Sequence, residues 1–524
     1  MTTNKELFEN RPGEPKRTMP SKRLVRKKVV TLGEMLKAAS LKLAKNSPDP
    51  VITRLAIDSR RVVPGSLFFA LPGLKSDGNR FIDEAIARGA VAVISNQDRR
   101  FGGQKVAFVK SLTPRLSLAK ISRAFFGYPD RALSLIGVTG TNGKTTVTGL
   151  LKGMLSFSGA RVGSLGTVGY DLVERSLPSF RTTPEAHELC ELLSQMATFD
   201  CSRVVMEVSS HAIDQLRIAE LEYNAGIFLN LTRDHLDYHG DMESYFEVKK
   251  KLFAGEIGPK PQHAVVNCDD PYGKRLLEEL KGDAPIAFGF CKEASVRADS
   301  LKLEPDGCSF ELVWPGGRAP VKTGLVGRYN VSNVLAAFAT CFALGVKIED
   351  CIENLKSFKG IRGRMELVEV GQDFRVIVDY AHTADALKNA LGMLREITPG
   401  RLVVVFGCGG DRDRGKRPDM TRIAQELADF CWATSDNPRN EALSEIFEDM
   451  KTGVIDPTRI SFVSDRRRAI ELAMKSAQPG DCVLIAGKGH ESFQEYGDTV
   501  VPFDDRRVAA ELLENIKLGE GLKP

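Results

Sequence analysis

A glycine-rich loop ending in Gly-Lys-Thr-Thr carries the strongest chemical signal in the sequence. Residues 137–146 read Gly-Val-Thr-Gly-Thr-Asn-Gly-Lys-Thr-Thr, between an apolar run at 133–138 and a predicted helix. Such a loop lets backbone N–H groups surround phosphates, and the helix N-terminus adds partial positive charge. Lys144 would then reach the β- and γ-phosphates of a nucleotide, and Thr145 would bind Mg²⁺. Because position 138 is valine where the usual pattern has glycine, the alternative is a simple turn with an exposed lysine.

An acid and a histidine follow the next two apolar runs. Glu207 comes directly after the apolar residues 204–206, and His235 lies in a segment that also contains Asp234 and Asp237. An acid at a strand end is a natural ligand for a hard cation. The alternatives are a capping or ion-paired Glu207 and a purely structural His235.

Lys249 is unusual among the three consecutive lysines at 249–251. On a helix it shares a face with Tyr245 and Phe246 behind it and Leu252 and Phe253 ahead of it. A bare ammonium on an apolar face is costly. Its side chain must therefore extend to water, or its charge must be paired or changed, whereas the two lysines after it suit a solvated surface.

The elements that position these residues alternate between short strands and helices. Apolar runs at 67–71, 90–94, 203–208, 225–231, 264–267, 375–378, 402–406, 430–434 and 482–486 are predicted strands. Residues 306–313 and 324–326 indicate a more antiparallel stretch. Strands separated by helices predict parallel sheets covered on both faces. Polar clusters follow directly after many of these strands, and the carboxyl ends of strands are where open α/β sheets bind ligands.

Composition excludes several classes of protein. The 524 residues are 42% hydrophobic and 27% charged, a globular balance that excludes a collagen-like, wholly disordered or small disulfide-stapled chain. The net charge of +5 comes from residues 1–30, whose nine basic and three acidic side chains give +6 and leave −1 for the rest. We expect residues 1–28 to form a solvated, disordered tail. A transit peptide is disfavoured by the three acids, and a secretory signal is excluded because no apolar stretch follows the basic residues.

The remaining sequence predicts no membrane span and no disulfide framework. The longest charge-free run, residues 329–346, contains Asn330, Ser332, Asn333 and Thr340 and so predicts a buried helix. The ten cysteines form no Cys-x-x-Cys pair. We therefore expect reduced thiols that pack as small hydrophobic residues.

Taken together, these motifs resemble the Mur ligase superfamily of ATP-dependent amide-bond-forming enzymes. The likeness runs from about residue 50 to the C-terminus, and its motifs lie at 139–146, 206–211, 230–239, 327–333, 363–366, 378–382, 406–413 and 436–439. The resemblance implies an α/β protein of three domains. These would be a small N-terminal α/β uridine-nucleotide domain at 29–111, a central P-loop ATPase domain with a mostly parallel sheet at 112–360, and a C-terminal Rossmann-like, amino-acid-binding domain at 361–524.

The resemblance also implies roles for individual residues. The implied ATP contacts are Gly140, Thr141, Asn142, Gly143, Lys144, Thr145, Thr146, Asn333, Arg364 and Asp379. The implied Mg²⁺ ligands are Thr145, Glu207, His235 and a carbamylated Lys249, so that Lys144, Glu207, His235 and Lys249 form the catalytic group. The implied contacts to a UDP-MurNAc-dipeptide are Ser59, Thr182, Thr183, Ser209, Gln215 and Arg217. Carbamylation would make the Lys249 side chain a carboxylate-like anion, which would account for its apolar face.

The activity implied is attachment of meso-2,6-diaminopimelate to the D-glutamyl carboxylate of UDP-MurNAc-L-Ala-D-Glu through an acyl phosphate, with ATP as co-substrate and Mg²⁺ as cofactor. The expected partners are these small molecules only, with no nucleic acid and no membrane insertion, in a cytoplasmic monomer. The candidate diaminopimelate-binding residues are Arg412, Asp436, Asn437, Pro438, Arg439, Gly487 and Glu491.

Charge explains why arginines suit the third substrate. Diaminopimelate differs from lysine by one distal carboxylate, and a guanidinium binds a carboxylate with two hydrogen bonds. Arg412 and Arg439 are the candidates for that contact, and Glu491 for the distal ammonium. The alternative for Arg439 is an ion pair that stabilises its turn. Two other functions remain open, namely a relative such as a folylpolyglutamate synthetase, and a nucleotide-binding switch that hydrolyses ATP without ligation.

Overall fold

The computed structural model describes residues 30–73, 77–98, 106–157, 159–304 and 307–520, with side chains to residue 516. The basic tail expected at 1–28 lies outside the described residues. The chain divides into two compact units. The first takes in the described residues up to Leu133 and Leu193–Asp200, and the second takes in Ser134–Leu192 and the described residues from Cys201 onward.

The first unit is a small α/β structure. Its strands are β1 Val30–Thr31, β2 Val51–Ile52, β3 Arg54–Ala56, β4 Ser66–Ala70, β5 Ala90–Ser95 and β6 Ala107–Lys110. Its helices are α1 Leu32–Ala38, α2 Ile82–Ala87 and α3 Pro114–Phe125. Strands β3 to β6 form a parallel sheet in chain order. Every residue of β4 is buried, as expected for a parallel strand covered on both faces.

The second unit begins with an eleven-stranded sheet and the helices that cover it. The strands are β7 Ser134–Thr139, β8 Val162–Gly166, β9 Gly169–Asp171, β10 Ser176–Leu177, β11 Arg203–Glu207, β12 Ala225–Phe228, β13 His263–Asn267, β14 Ile286–Gly289, β15 Val296–Glu304, β16 Gly307–Trp314 and β17 Gly317–Thr323. The helices are α4 Lys144–Phe157, α5 Ala186–Thr198, α6 Ser210–Asp214, α7 Leu236–His239, α8 Met242–Ala254, α9 Pro271–Glu279, α10 Arg328–Ala343 and α11 Ile348–Lys356. The residues of α5 from Leu193 onward are assigned to the first unit.

This sheet is parallel at its centre and antiparallel at both edges. Its order is β10-β9-β8-β11-β7-β12-β13-β14-β15-β16-β17, and the pairs from β8 to β15 are parallel. The antiparallel stretch expected near residue 306 is β15 to β17, but residues 324–326 are not a strand. The charge-free run at 329–346 forms the buried helix α10, which packs with α4 on the sheet.

The same unit ends in a six-stranded, doubly covered sheet. Its strands are β18 Glu366–Val368, β19 Arg375–Asp379, β20 Leu402–Cys408, β21 Phe430–Ser435, β22 Ile460–Val463 and β23 Cys482–Ala486, followed by a hairpin of β24 Phe493–Tyr496 and β25 Thr499–Pro502. Its helices are α12 Ala384–Ile397, α13 Lys416–Leu427, α14 Leu443–Lys451, α15 Arg466–Ser476 and α16 Asp505–Glu520. The order is β18-β19-β23-β20-β21-β22. Alternate residues of β20 point to opposite cores, so that Val404 packs on the α12–α14 side and Val405 on the α15–α16 side.

The expectation of ten reduced cysteines is wrong at one pair. Cys268 and Cys291 form a disulfide, and the other eight cysteines are free and buried. The pairing follows from the sheet, because Cys268 follows β13 and its backbone N–H donates to the Phe288 carbonyl of the adjacent strand β14 at 2.9 Å. None of the helices in the described ranges is long and apolar enough to cross a membrane.

Candidate active site

The glycine-rich loop has the strand–loop–helix geometry that the sequence predicts. β7 ends at Thr139 and α4 begins at Lys144. Gly143 has φ +89°, and a Cβ atom there would lie 2.4 Å from the Asn333 side-chain oxygen, so only glycine fits. The Lys144 ammonium donates to the carbonyls of Gly140 at 2.8 Å and Thr141 at 2.9 Å. Burial lowers the pKa of Lys144, and the Glu207 and Asp234 carboxylates oppose that shift.

A cavity of about 440 Å³ opens over this loop. The residues singled out from the sequence that line it are Thr141, Asn142, Gly143, Lys144, Thr145, Thr146, Thr182, Glu207, His235, Asn333, Arg364 and Asp379. Most of the expected nucleotide and metal contacts therefore share one space, at the carboxyl ends of β7 and β11. This is the edge at which parallel sheets bind ligands.

Residues from the six-stranded sheet complete the cavity wall. The Arg364 guanidinium lies 4.4 Å from the centre of the Tyr380 ring, and its Nη2 donates to Thr145 Oγ1 at 3.3 Å. The Asp379 carboxylate accepts from the backbone N–H of Met365 at 2.8 Å and of Ala381 at 2.9 Å. Burial raises the pKa of Asp379, with Arg364 opposing it. A cation and a fixed carboxylate thus face the phosphate loop from the opposite side.

The donors proposed for Mg²⁺ are oxygen-rich and held in place. The Glu207 side chain is buried and accepts from Thr167, through the backbone N–H at 2.9 Å and the hydroxyl at 3.0 Å. His235 has φ +54° immediately before α7, and its Nε2 lies 3.4 Å from Asp234 Oδ2. Desolvation lowers the pKa of His235, so its imidazole is neutral at pH 7 and available as a ligand. The Glu207 carboxylate and the Thr145 hydroxyl are oxygen donors that suit Mg²⁺ bound with ATP, and the neutral imidazole adds a nitrogen donor beside them.

Lys249 is buried, as its helical position predicts. Its residue is 1% exposed, whereas Lys250 and Lys251 are partly exposed. The Lys249 ammonium donates to Thr139 Oγ1 at 3.2 Å and lies 4.9 Å from the centre of the Tyr245 ring. Burial and the nearby Lys144 charge lower its pKa well below the usual value. The amine therefore lies directly behind the phosphate loop and is biased toward its neutral form.

The residues expected to hold the muramoyl-dipeptide form a connected group beside Glu207. The Thr183 hydroxyl donates to the Glu207 carbonyl at 2.8 Å and accepts from the Ser209 backbone N–H at 3.1 Å. Arg217 donates through Nη1 to the Thr183 carbonyl at 3.1 Å and through Nη2 to Gln215 Oε1 at 2.6 Å. These contacts fix polar side chains next to the phosphate loop.

Ser59, the expected uridine contact, belongs to the first unit and is described there alone. It begins a short 3-10 helix capped by the Asp58 carboxylate. Its hydroxyl donates to Glu84 Oε2 at 2.8 Å, and the residue is 5% exposed. The hydroxyl already has a partner in this unit, and its role toward uridine stays a prediction.

The expected amino-acid site gathers around the turn at 436–439. Asn437 Nδ2 donates to Glu491 Oε2 at 3.0 Å. Arg439 donates through Nε to Glu495 Oε2 at 2.8 Å, so the ion pair considered as its alternative is present. A Cβ atom on Gly409 would lie 3.1 Å from Arg439 Nη1 and 3.7 Å from Arg412 Cγ. The side chains of both arginines therefore lie next to Gly409. The backbone N–H of Gly487 donates to the Asp379 carbonyl at 3.1 Å, next to the nucleotide cavity.

Two supporting residues escaped the sequence reasoning. Lys488 is fully buried, and its ammonium donates to Asn437 Oδ1 at 2.9 Å and Glu491 Oε2 at 3.0 Å. The sequence feature that could have identified Lys488 is its position between two glycines directly after a predicted strand. Asp385 Oδ2 accepts from Asn142 Nδ2 at 2.9 Å and Thr232 Oγ1 at 2.8 Å. An acid at a helix start has an ordinary role there, so the sequence alone gave no reason to single it out.

Comparison with family models gives three matches in chain order. The model described as "Mur ligase family, catalytic domain" matches residues 51–125, "Mur ligase middle domain" matches 138–341, and "Mur ligase, glutamate ligase domain" matches 363–489. The fold class predicted from the sequence, an α/β protein of three domains, is confirmed by these matches and by the solved structures that resemble it.

Among curated proteins, a relative from Solibacter usitatus (strain Ellin6076) is 43% identical over 489 residues, which cover 93% of this chain and 98% of the relative. It is named UDP-N-acetylmuramoyl-L-alanyl-D-glutamate–2,6-diaminopimelate ligase. A solved structure of a ligase with that name is 32% identical with a TM-score of 0.65, covering 94% of this chain and all of the other. MurF from Acinetobacter baumannii, 21% identical with a TM-score of 0.62, covers 92% of this chain and 98% of its own and shares the fold.

Proposed function

The chain belongs to the Mur ligase family, and we propose that it attaches meso-2,6-diaminopimelate to the D-glutamyl carboxylate of UDP-MurNAc-L-Ala-D-Glu, using ATP, in peptidoglycan precursor synthesis. One observation carries the proposal. The Gly487 N–H donates to the Asp379 carbonyl at 3.1 Å, which brings the loop proposed to bind the amino acid against the wall of the phosphate-loop cavity. The diaminopimelate ligases to which the chain is similar over nearly its full length support the choice of substrate.

The reaction has two steps whose charges the cavity can balance. The D-glutamyl carboxylate attacks the γ-phosphorus of ATP, ADP leaves, and an acyl phosphate forms. The amine of diaminopimelate then attacks the acyl carbon and loses a proton to solvent, and inorganic phosphate leaves with the electrons of the broken C–O bond. Lys144 and Arg364 supply positive charge beside the phosphates, and the loop N–H groups orient them. Walls on both sides of the cavity limit hydrolysis of the acyl phosphate by water.

Mg²⁺ would be held by Thr145, Glu207, His235 and the carbamate of Lys249. When bound, it would neutralise phosphate charge and help to align the γ-phosphoryl group. Thr167 holds the Glu207 carboxylate through two hydrogen bonds, so that this ligand is fixed before the nucleotide arrives. Thr139 does the same for the Lys249 amine.

The amino-acid site distinguishes diaminopimelate from lysine by its distal end. Arg439 and Arg412 would bind the distal carboxylate, and Glu491 the distal ammonium. Lysine has no such carboxylate, so it would leave the guanidinium groups without that partner. The turn residues Asp436, Asn437 and Pro438 with Gly487 would shape the site, and the muramoyl-dipeptide would be held by Thr182, Thr183, Ser209, Gln215 and Arg217.

The remaining assignments follow from the substrates. Ser59 would contact the uridine nucleotide, so that the domains proposed at 29–111, 112–360 and 361–524 would each serve one substrate. ATP and a UDP-linked precursor are cytoplasmic metabolites, so we infer that the enzyme works in the cytoplasm. We also propose that it is a monomer. Size-exclusion chromatography with light scattering would test the monomer, and a dimer mass would contradict it.

The decisive experiment supplies the purified protein with UDP-MurNAc-L-Ala-D-Glu, Mg-ATP and either diaminopimelate or lysine. We expect phosphate release to be much faster with diaminopimelate and mass spectrometry to detect the ligated product. Faster release with lysine would overturn the assigned specificity. ATP hydrolysis without any ligated product would favour a nucleotide-dependent switch instead.

A further inference from the structure

The hairpin of β24 and β25 contacts the arginine-bearing turn at 436–439 along its length. Gln494 is 4% exposed, and its Nε2 donates to the Asp436 carbonyl at 2.9 Å. The Glu495 backbone N–H donates to Asn437 Oδ1 at 3.1 Å, and the Glu495 carbonyl accepts from the Arg439 N–H at 3.0 Å. The hairpin therefore holds the turn from one side by both backbone and side-chain bonds.

The backbone of Arg439 has a conformation that is unfavourable for a residue with a side chain. Its φ is +53°, in the left-handed region that non-glycine residues seldom adopt. The Gly497 N–H donates to the Arg439 carbonyl at 2.7 Å, which adds a second backbone bond between the hairpin and this residue. The turn thus depends on the hairpin to keep the Arg439 side chain directed toward Gly409 and Arg412.

The Arg439 guanidinium is fixed by two acceptors. Its Nε donates to Glu495 Oε2 at 2.8 Å, and its Nη1 donates to the Gly410 carbonyl at 2.8 Å. Glu495 takes the Nε–H and the Gly410 carbonyl takes one N–H of Nη1, so the second N–H of Nη1 and those of Nη2 are left for a second carboxylate. The two side chains are only 24% and 32% exposed, so solvent screens this ion pair only partly.

We propose that Glu495 is a positioning residue that sets specificity for the distal carboxylate of the amino-acid substrate. It acts through Arg439, by orienting the guanidinium so that its remaining N–H groups face the site, and by balancing its charge beside Arg412 while the site is empty. This inference rests on the proposed function, in which Arg439 binds that carboxylate. A substrate without the carboxylate, such as lysine, gains nothing from this orientation.

The test compares Glu495→Ala and Glu495→Gln with wild type in steady-state ligation. We expect Glu495→Ala to raise the KM for diaminopimelate about tenfold, the effect of losing one charge-assisted hydrogen bond. Glu495→Gln keeps an acceptor and should raise it less. The KM values for ATP and UDP-MurNAc-L-Ala-D-Glu, and the kcat/KM for lysine, should stay the same, so that the preference for diaminopimelate over lysine falls. The matched control is Asp498→Asn, which removes an exposed carboxylate from the tip of the same hairpin and should have no effect.

A double-mutant cycle with Arg439→Ala separates positioning from general support of the fold. If Glu495 acts through Arg439, then Glu495→Ala should cause no further loss in the Arg439→Ala background. Full additivity, an unchanged KM in Glu495→Ala, or an equal loss toward lysine would overturn the inference. An Arg439→Ala enzyme with unaltered diaminopimelate kinetics would instead overturn the assigned role of Arg439. If Glu495→Ala does not fold, the same cycle is run with Glu495→Gln, whose additivity with Arg439→Ala would be equally decisive.

Discussion

Replacing Lys249 by alanine is expected to remove ligase turnover while leaving the fold intact. The Lys249 residue is 1% exposed, and its amine contacts Thr139 Oγ1 and the Tyr245 ring. Within the described residues, no carboxylate lies within ion-pair distance of it. Burial and the charge of Lys144 lower its pKa, which enlarges the share of neutral amine. In the proposed carbamylation, that form would add CO₂ to give a carbamate and a proton, and the product would be an anion beside the phosphate loop.

The size of the effect follows from the position of this anion. Removal of a single preorganised charged or dipolar group from a site that excludes water typically costs about 10²–10³ in kcat. We expect a loss of that order in Lys249→Ala, because Thr145, Glu207 and His235 alone would hold less firmly the Mg²⁺ that neutralises the phosphate charge. Lys249→Met should be equally inactive. It keeps the side-chain volume and removes a buried ionisable group, so its melting temperature should equal or exceed that of wild type.

The assay is phosphate release at saturating substrates, with and without added short carboxylic acids. A carboxylate that enters the space left in Lys249→Ala should restore part of the activity, whereas wild type should not respond. Lys250→Ala is the matched control, because the Lys250 ammonium is partly exposed and pairs with Glu247 and Glu279, and it should retain full activity. A full-rate Lys249→Ala or Lys249→Met enzyme would refute the metal-ligand role.

Three further predictions test other parts of the molecule. Ser59→Ala should raise the KM for UDP-MurNAc-L-Ala-D-Glu about tenfold, and a silent variant in steady-state assays would favour a relative without a uridine site. Burial, with a contribution from Lys416, lowers the pKa of His382 from 6.5 to about 4, so between pH 7.5 and 5.0 the unfolded chain binds a proton that the folded chain does not. Stability therefore falls as the pH drops through this range, by about 2 kcal/mol from this group. Urea unfolding of His382→Gln should show a loss smaller by that amount, and an unchanged pH dependence would contradict it. Thiol titration of the unfolded, non-reduced chain should find eight thiols, rising to ten after reduction, and ten before reduction would exclude the disulfide.

The parts of the site that the sequence predicted depend on local pattern. The loop before Lys144 is recognisable because an apolar strand, glycines and a helix follow one another within a few residues. Lys249 stands out because helical spacing sets it among Tyr245, Phe246, Leu252 and Phe253, and all four are buried in the structure. In both cases the relevant neighbours lie within two turns or one loop of the residue, so short-range periodicity is sufficient to find them.

The parts that escaped prediction depend on strand order. Cys268 and Cys291 meet because β13 pairs with β14, and no spacing rule in the sequence contains that pairing. Asp385 touches Asn142 only because α12 lies against the phosphate loop. The β24–β25 hairpin follows the last sheet strand and was not predicted, although it holds Arg439.

Strand order also explains why the proposed nucleotide site and the proposed amino-acid site are adjacent. β23 lies between β19 and β20 in the six-stranded sheet, so the loop after β23 is next to Asp379 at the end of β19 on one side and to the loop after β20 on the other. The first neighbour belongs to the proposed nucleotide site, and the second carries Arg412 of the proposed amino-acid site. Gly487 lies at the junction, where a Cβ atom would lie 2.8 Å from Asp436 Oδ2. A side chain at this position would crowd the Asp436 carboxylate, and φ +114° also favours glycine there, so the two loops approach closely only because residue 487 has no side chain.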